Sequence, residues 1–371
     1  MRKMDYYFRT EKLSVGYRNA PLIEDITIGL NKGEILTLIG PNGAGKSTIL
    51  KSIAKQLKPM GGVVYLDEKN TGELSGKELS QKMAVVFTER LQSEMMTCED
   101  VVATGRYPYT GYFGILSGED YEAVREAMEL VHITDIKDCD FTKISDGQRQ
   151  RVMLARAICQ KPEIIILDEP TSYLDVKYKL EFLSVLQELR NKKKLTVIMS
   201  LHELELAEKV SDYILCVGGK YIDRFGVPEE IFTQGYIQTL FQIETGSFDE
   251  KTGSMELQGV KGEPEIFVIA GNGSGKNVFR RLQRKGIPFA AGILFENDRD
   301  YPIAQALAAE VLSVPAFEPI SKPMLQKAKI RMDSCRQVIC CRQEFGSLER
   351  ENEELLAYAK AKHFDMTWEK R

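Results

Sequence analysis

Apolar positions fall in short blocks separated by helix-spaced or polar stretches. Residues 34–40 (EILTLIG) read as a buried strand running into a glycine-rich turn, and STILKSIAKQL behind them has helical spacing. From about 72 to 160 the pattern is mostly helical, with a turn-rich stretch, GRYPYTGYFG at 105–114, expected to be an exposed structured loop. Strands return at EIIIL (163–167), LTVIMS (195–200) and YILCVGG (213–219), alternating with helical segments. A mainly parallel sheet with helices on both faces follows from that alternation. Residues 246–263, rich in Gly, Ser, Thr and charge, predict a linker. Beyond it a second strand–helix alternation over 264–371 predicts a small α/β domain.

Composition narrows the class. Of 371 residues 43% are hydrophobic and 28% charged, enough for two cores in a globular chain. The net charge of −4 gives no electrostatic reason to bind nucleic acid. No apolar run is long enough to span a bilayer, and the basic N-terminus lacks an apolar segment behind it, so a cytoplasmic location is expected. Seven cysteines, with no even framework of spacings, fit reduced thiols. Cys335, Cys340 and Cys341 cluster but are read as buried thiols in preference to a metal site.

The chemistry concentrates in two motifs. Gly40, Pro41, Asn42, Gly43, Ala44, Gly45, Lys46, Ser47 and Thr48 match GxxxxGK[ST] directly after a strand and at a helix start. The glycines let successive N–H groups curl around phosphates, and the helix N-terminus adds a favourable dipole. Lys46 is expected to reach the β- and γ-phosphates of ATP, and the Ser47 hydroxyl to ligate Mg²⁺. Downstream, the apolar strand 164–167 ends in Asp168 and Glu169. Asp168 would hold the Mg²⁺ shell, and Glu169 would take a proton from the attacking water.

Between these motifs lies Ile144-Ser145-Asp146-Gly147-Gln148, followed at once by the helical RQRVMLARAI and then the acidic strand. That order resembles the ABC-type ATPases. The resemblance covers about residues 6–245 and implies a P-loop ABC ATPase core with a helical insert at about 90–158. The small parallel, Rossmann-like α/β domain follows it. It also implies a head-to-tail dimer of two copies, in which Ser145, Gly147 and Gln148 contact ATP held by the partner's phosphate loop. In the same family an aromatic residue stacks on adenine where Tyr17 stands, a D-loop corresponds to Ser172–Asp175, and a histidine corresponding to His202 senses the γ-phosphate. Two departures stand out. The family's glutamine after the strand that opens the helical insert is absent, since the chain reads Val85-Val-Phe-Thr88-Glu89 there, leaving Thr88 as a hydroxyl that could serve Mg²⁺, and the signature's first glycine is Asp146.

The segment Val101–Tyr109, with 110–114 beyond it, resembles ATPases that drive uptake of iron–siderophore complexes, haem and cobalamin. Integral membrane permease subunits, a substrate-binding protein and a place on the cytoplasmic face of the membrane are implied with it. The alternative is a soluble ABC ATPase of translation or DNA repair. That class usually carries a second cassette or a long coiled coil, and neither is evident. In the second domain Gly271-Asn-Gly-Ser-Gly-Lys276 follows a strand and resembles an anion-binding turn, one residue short of GxxxxGK. No acid pair follows it, although Glu296 stands where a ribose-binding acid would. The readings left open are a packing or dimerisation module and a small-ligand sensor, neither carrying out hydrolysis.

Overall fold

A computed structural model of the chain describes residues 6–17, 20–87, 95–111, 113–250 and 252–365. It divides into two compact units, Met1–Tyr236 and Ile237–Arg371.

In the first unit, five strands are parallel and fully or nearly buried: β3 (Ile35–Ile39), β6 (Met83–Val86), β7 (Ile164–Asp168), β8 (Thr196–Ser200) and β9 (Tyr213–Gly218). Their order across the sheet is β9-β3-β8-β7-β6. The near-continuous apolar runs that mark these strands are what burial on both faces requires. On one side the sheet continues into a mostly antiparallel arm that the strand pattern alone does not predict, joined by one parallel bridge between Tyr221 and Glu24. β10 (Tyr221–Gly226) pairs with β9, and beyond it lie β2 (Ala20–Leu30), β1 (Phe8–Tyr17), β4 (Gly61–Leu66) and β5 (Lys69–Asn70). The reason is connection length: two residues separate β1 from β2 in sequence, whereas a parallel pair needs a crossover of a dozen or more.

Helix α1 (Lys46–Ile53) leaves the end of β3 and packs Ile49, Leu50 and Ile53 into the core. α2 (Gly76–Lys82) precedes β6. The expected helical insert is present as α3 (Cys98–Ala103), α4 (Gly118–Leu130) and α5 (Asp146–Cys159). The turn-rich stretch at 105–114 is exposed at Tyr107, Tyr109, Phe113 and Gly114, as expected, but not at its start. Thr104–Tyr109 is a 3₁₀ helix, and Arg106 within it is buried, donating to Asp120 Oδ1 at 2.8 Å and to Cys159 O at 2.7 Å. A buried guanidinium must be paired, and this pairing fastens the stretch to α4 and α5. Helices α6 (Val176–Lys193), α7 (Leu204–Val210) and α8 (Pro228–Ile231) complete the unit.

The second unit opens with α9 (Tyr236–Leu240), whose first residue closes the first unit. The stretch read as a linker then forms a two-stranded hairpin, β11 (Ser247–Asp249) with β12 (Ser254–Glu256). Glu256 is held there by the Arg280 guanidinium. A parallel sheet in the order β15-β14-β13-β16 follows, from β13 (Ile266–Ile269), β14 (Phe289–Phe295), β15 (Glu310–Val314) and β16 (Gln337–Cys340). Helices α10 (Lys276–Arg284) and α11 (Tyr301–Leu307) bury Phe279, Leu282, Ala304 and Leu307 on one face. α12 (Lys322–Asp333) and α13 (Arg350–Ala361) bury Ala328, Met332, Leu355 and Ala359 on the other. This is the doubly wound, Rossmann-like arrangement expected from the alternation. Across the chain all seven cysteines are unpaired thiols, and burial pushes the Cys341 thiol up to about 12. No group of three metal-ligating side chains occurs among the described residues.

Candidate nucleotide-binding site

The carboxyl ends of β3, β7 and β8 gather the residues singled out in the sequence. The loop after β3 begins at Gly40, where a Cβ would lie 2.1 Å from Val217 O, and reaches α1 through Gly45 at φ 104°. Only glycine tolerates both demands, and the result is a tight turn feeding a helix N-terminus. Lys46, 5% exposed, donates from Nζ to Gly40 O at 2.7 Å and Pro41 O at 3.0 Å, which holds the ammonium over the turn. Burial lowers its pKa, opposed by the nearby Glu169 and Asp168 carboxylates. Ser47 is half-buried at the start of α1. Thr48 Oγ1 donates to Tyr17 Oη at 3.3 Å, and Tyr17 leaves half of its surface to solvent, as a ring that stacks on a ligand must.

On the facing strands, Asp168 is buried and Glu169 turns the chain at φ 50°. Adjacent strand residues point to opposite faces, and the left-handed residue breaks that alternation, so the two acids engage different partners. Asp168 Oδ1 accepts from Ser200 Oγ at 2.7 Å. Glu169 Oε1 lies 2.5 Å from His202 Nε2, and its Oε2 accepts from Ser172 Oγ at 3.2 Å. Thr171 and Lys179 both donate to Glu203, the neighbour of His202. Burial raises that carboxyl, but these donors outweigh it and hold the pKa below the ordinary value. Sequence reasoning missed Ser200 and Glu203. The signal available for Ser200 was a hydroxyl ending the apolar run Val197-Ile198-Met199 just before His202.

The signature residues stand apart from this cluster. Ser145 caps α5 by accepting from the Gln148 N–H at 3.2 Å, and Gln148 Oε1 accepts from the Ser145 N–H at 3.0 Å. Gly147 faces Leu174 of the D-loop, where a Cβ would sit 3.5 Å from its side chain. Among the described residues no hydrogen bond or ion pair joins Ser145, Gly147 or Gln148 to the phosphate loop. Asp146 is engaged by Arg149 at 2.7 Å on its own helix, which offsets the charge that its place in the signature introduces. Thr88 lies outside the described residues.

The second glycine loop is already filled. Asp300, fully buried, accepts from the N–H groups of Gly271 at 3.0 Å, Gly275 at 2.8 Å and Lys276 at 3.1 Å. Asp298 accepts from Asn272 N–H at 2.7 Å. Four of the turn's N–H groups are thus bound to the protein's own carboxylates, which compete with any phosphate for them.

Comparison with known proteins matches two parts of the chain to two different families. Residues 23–172 match the family described as ABC transporter, and residues 289–367 match a separate family described as MJ0874. An uncharacterised ABC transporter ATP-binding protein of Methanocaldococcus jannaschii, MJ0873, is 42% identical over 288 residues, 77% of this chain and 99% of that protein. The iron(3+)-hydroxamate import ATP-binding protein FhuC of Bacillus subtilis is 33% identical over 264 residues, 70% of this chain and 98% of that protein. Among solved structures, the ATP-binding cassette MJ0796, a dimer in a post-hydrolysis state bound to ADP and Pi, superimposes with a TM-score of 0.54 at 25% identity, over 60% of this chain and 98% of that chain. The family match at 23–172 takes in the phosphate loop, the signature helix and the acid pair, and a relative is 42% identical along almost its whole length, so the chain belongs to the ATP-binding proteins of ABC transporters and is an ATPase.

Proposed function

We propose that this ATPase powers an importer for an iron chelate, haem or a corrinoid, working as a head-to-tail pair of copies beneath separate membrane permease subunits. The observation that carries the hydrolytic part is the Glu169–His202 contact at 2.5 Å beside the buried Lys46. Lys46 draws the β- and γ-phosphates into the loop, Tyr17 stacks on adenine, and Glu169 accepts the water's proton while His202 orients it. The separation of Ser145, Gly147 and Gln148 from this cluster favours their use in the partner's site, since a helix N-terminus serves an anion only where it can reach one. The import reading is supported by the resemblance of residues 101–114 and by the hydroxamate-import relative.

Magnesium fits the donors present. Ser47 and Asp168 offer a hydroxyl and a carboxylate, hard oxygen ligands too few for an all-protein cage, as suits an ion that keeps water and phosphate ligands. Thr88 is proposed as an added hydroxyl. Bound there, the ion would neutralise phosphate charge.

Uptake assays decide the substrate. A strain lacking the gene should lose growth on ferric chelates, haem or a corrinoid as sole source. Unchanged growth on all of them, with impaired efflux of a drug or lipid, would refute import. The second unit is proposed to modulate the ATPase without hydrolysing nucleotide itself.

A further inference from the structure

The strand β8 runs between β3, which leads into the phosphate loop, and β7, which ends in the two acids. Its last residue, Ser200, stands in register with Leu38 on one side and Asp168 on the other. The side chain is fully buried, and its hydroxyl makes two hydrogen bonds whose directions are fixed by chemistry. The Glu169 N–H can only donate, so the Ser200 oxygen accepts it at 2.9 Å. The one hydroxyl proton then goes to Asp168 Oδ1 at 2.7 Å. A polarised chain therefore runs from the Glu169 peptide through Ser200 to the Asp168 carboxylate.

Two features make this more than a filled lattice of hydrogen bonds. Glu169 sits at φ 50°, a region sparsely populated by residues with a Cβ, which persists only where neighbours hold it. The Ser200 oxygen is one such anchor, on the amide at the very residue that turns. Asp168, for its part, is a buried carboxylate at the end of a strand, and an unpaired charge there would be costly. One hydroxyl thus sets both the rotation of the carboxylate assigned to the metal and the direction of the acid assigned to the water.

We propose that Ser200 is a positioning residue of the ATPase site, which orients Asp168 toward Mg²⁺ and fixes the backbone turn that delivers Glu169 to the attacking water. It acts through these two acids and touches neither nucleotide nor metal. The inference rests on the assignment of Asp168 and Glu169 made above. It differs from that assignment in predicting that a residue 31 or 32 positions away in sequence controls both acids.

The test compares Ser200→Ala, Ser200→Thr and Asp168→Asn in the full chain. ATP binding is titrated with and without Mg²⁺, and steady-state hydrolysis is measured alongside. Partners of metal ligands typically alter metal affinity or activity by 10–100-fold, so Ser200→Ala should lose about tenfold of the Mg²⁺ enhancement of ATP binding and lower kcat by about 10–100-fold. ATP binding in EDTA and KM should change little, and the thermal midpoint should fall modestly because a buried carboxylate and an N–H lose a partner. Ser200→Thr, which keeps the hydroxyl, should restore both readouts to near the wild-type values, and a threonine methyl is tolerated in a strand. A Mg²⁺ titration of Ser200→Ala indistinguishable from wild type would overturn the proposal. So would a loss of EDTA-resistant binding and thermal stability that threonine does not rescue, since that marks a packing role alone. If Asp168→Asn itself leaves the Mg²⁺ enhancement intact, the assignment of Asp168 has failed and the role of Ser200 falls with it.

Discussion

The two glycine loops, Gly40–Thr48 in the first unit and Gly271–Lys276 in the second, follow parallel strands, open helices and share dihedral angles at corresponding glycines. Gly40 and Gly271 have φ of 146° and 140°, and Gly43 and Gly273 both have 78°. They diverge at the glycine before the lysine. Gly45 is left-handed at 104°, whereas Gly275, with one residue fewer behind it, is right-handed at −80°. They diverge further in what meets their amides. Among the described residues no carboxylate is hydrogen-bonded to the backbone N–H groups of the first loop, and its acids stand across the site at Asp168 and Glu169. In the second, Asp298 and Asp300 are drawn into the turn itself. A phosphate-loop sequence is therefore an anion site only where the rest of the fold keeps its own anions out of reach.

The sharpest way to break the comparison is to exchange the lysines. Lys46→Ala should abolish turnover and ATP retention, because its ammonium is held over that turn by the Gly40 carbonyl. Glu169→Gln should lower turnover by about 10²–10⁴-fold, the range of general-base catalysis, while ATP binding persists and a nucleotide-bound dimer accumulates on gel filtration. Near-normal hydrolysis in that variant would remove Glu169 from its role.

Asp300→Ala should act on stability and spare catalysis. Two buried N–H groups and a partly buried third lose their acceptor, so the second unit should lose about 3 kcal/mol, visible as an earlier melting transition of the full chain, while basal hydrolysis remains. The pH dependence gives a second reading. Burial, aided by the Asp298 carboxylate, raises the Asp300 pKa above 3.8 against the pull of the three amides. The folded unit then binds that proton more tightly than the unfolded chain, so this group makes the unit less stable as pH rises from 3.8 through the raised value. Asp300→Asn should flatten that slope in melting experiments run across acidic pH. Lys276→Ala should have the smallest effect, leaving basal hydrolysis within about twofold, as for an ordinary surface substitution. Loss of basal turnover in a folded, dimeric Lys276→Ala protein would make the second loop a nucleotide site and end the contrast drawn here.

Much of the first site was legible because its parts are local. A GxxxxGK[ST] run, an apolar strand ending in two acids and a capped helix each put their chemistry within a few residues, and the structure places Lys46, Asp168, Glu169 and His202 around one another. The helical insert was legible through its periodicity. The role of Arg106 was not: a basic residue in a turn-rich stretch reads as exposed, and only Asp120 and Cys159 O, 14 and 53 residues away, make its burial possible. The 246–263 stretch reads as a linker by composition. Its hairpin depends on residues farther along, such as Arg280 closing on Glu256.

What the sequence by itself determined is the order and type of the elements and the residues of the first loop, since periodicity, capping and glycine spacing act over one or two turns of chain. What only the tertiary structure decided is which groups meet across the sheet. Ser200 reaches Asp168 because β8 lies beside β7 in that register, and Asp300 reaches the second loop because β14 lies beside β13. Strand order and register are set by the burial of whole faces, which no short window of sequence records. Among the described residues, the same turn chemistry can therefore leave its amides free of carboxylates in one unit and bonded to the protein's own carboxylates in the other.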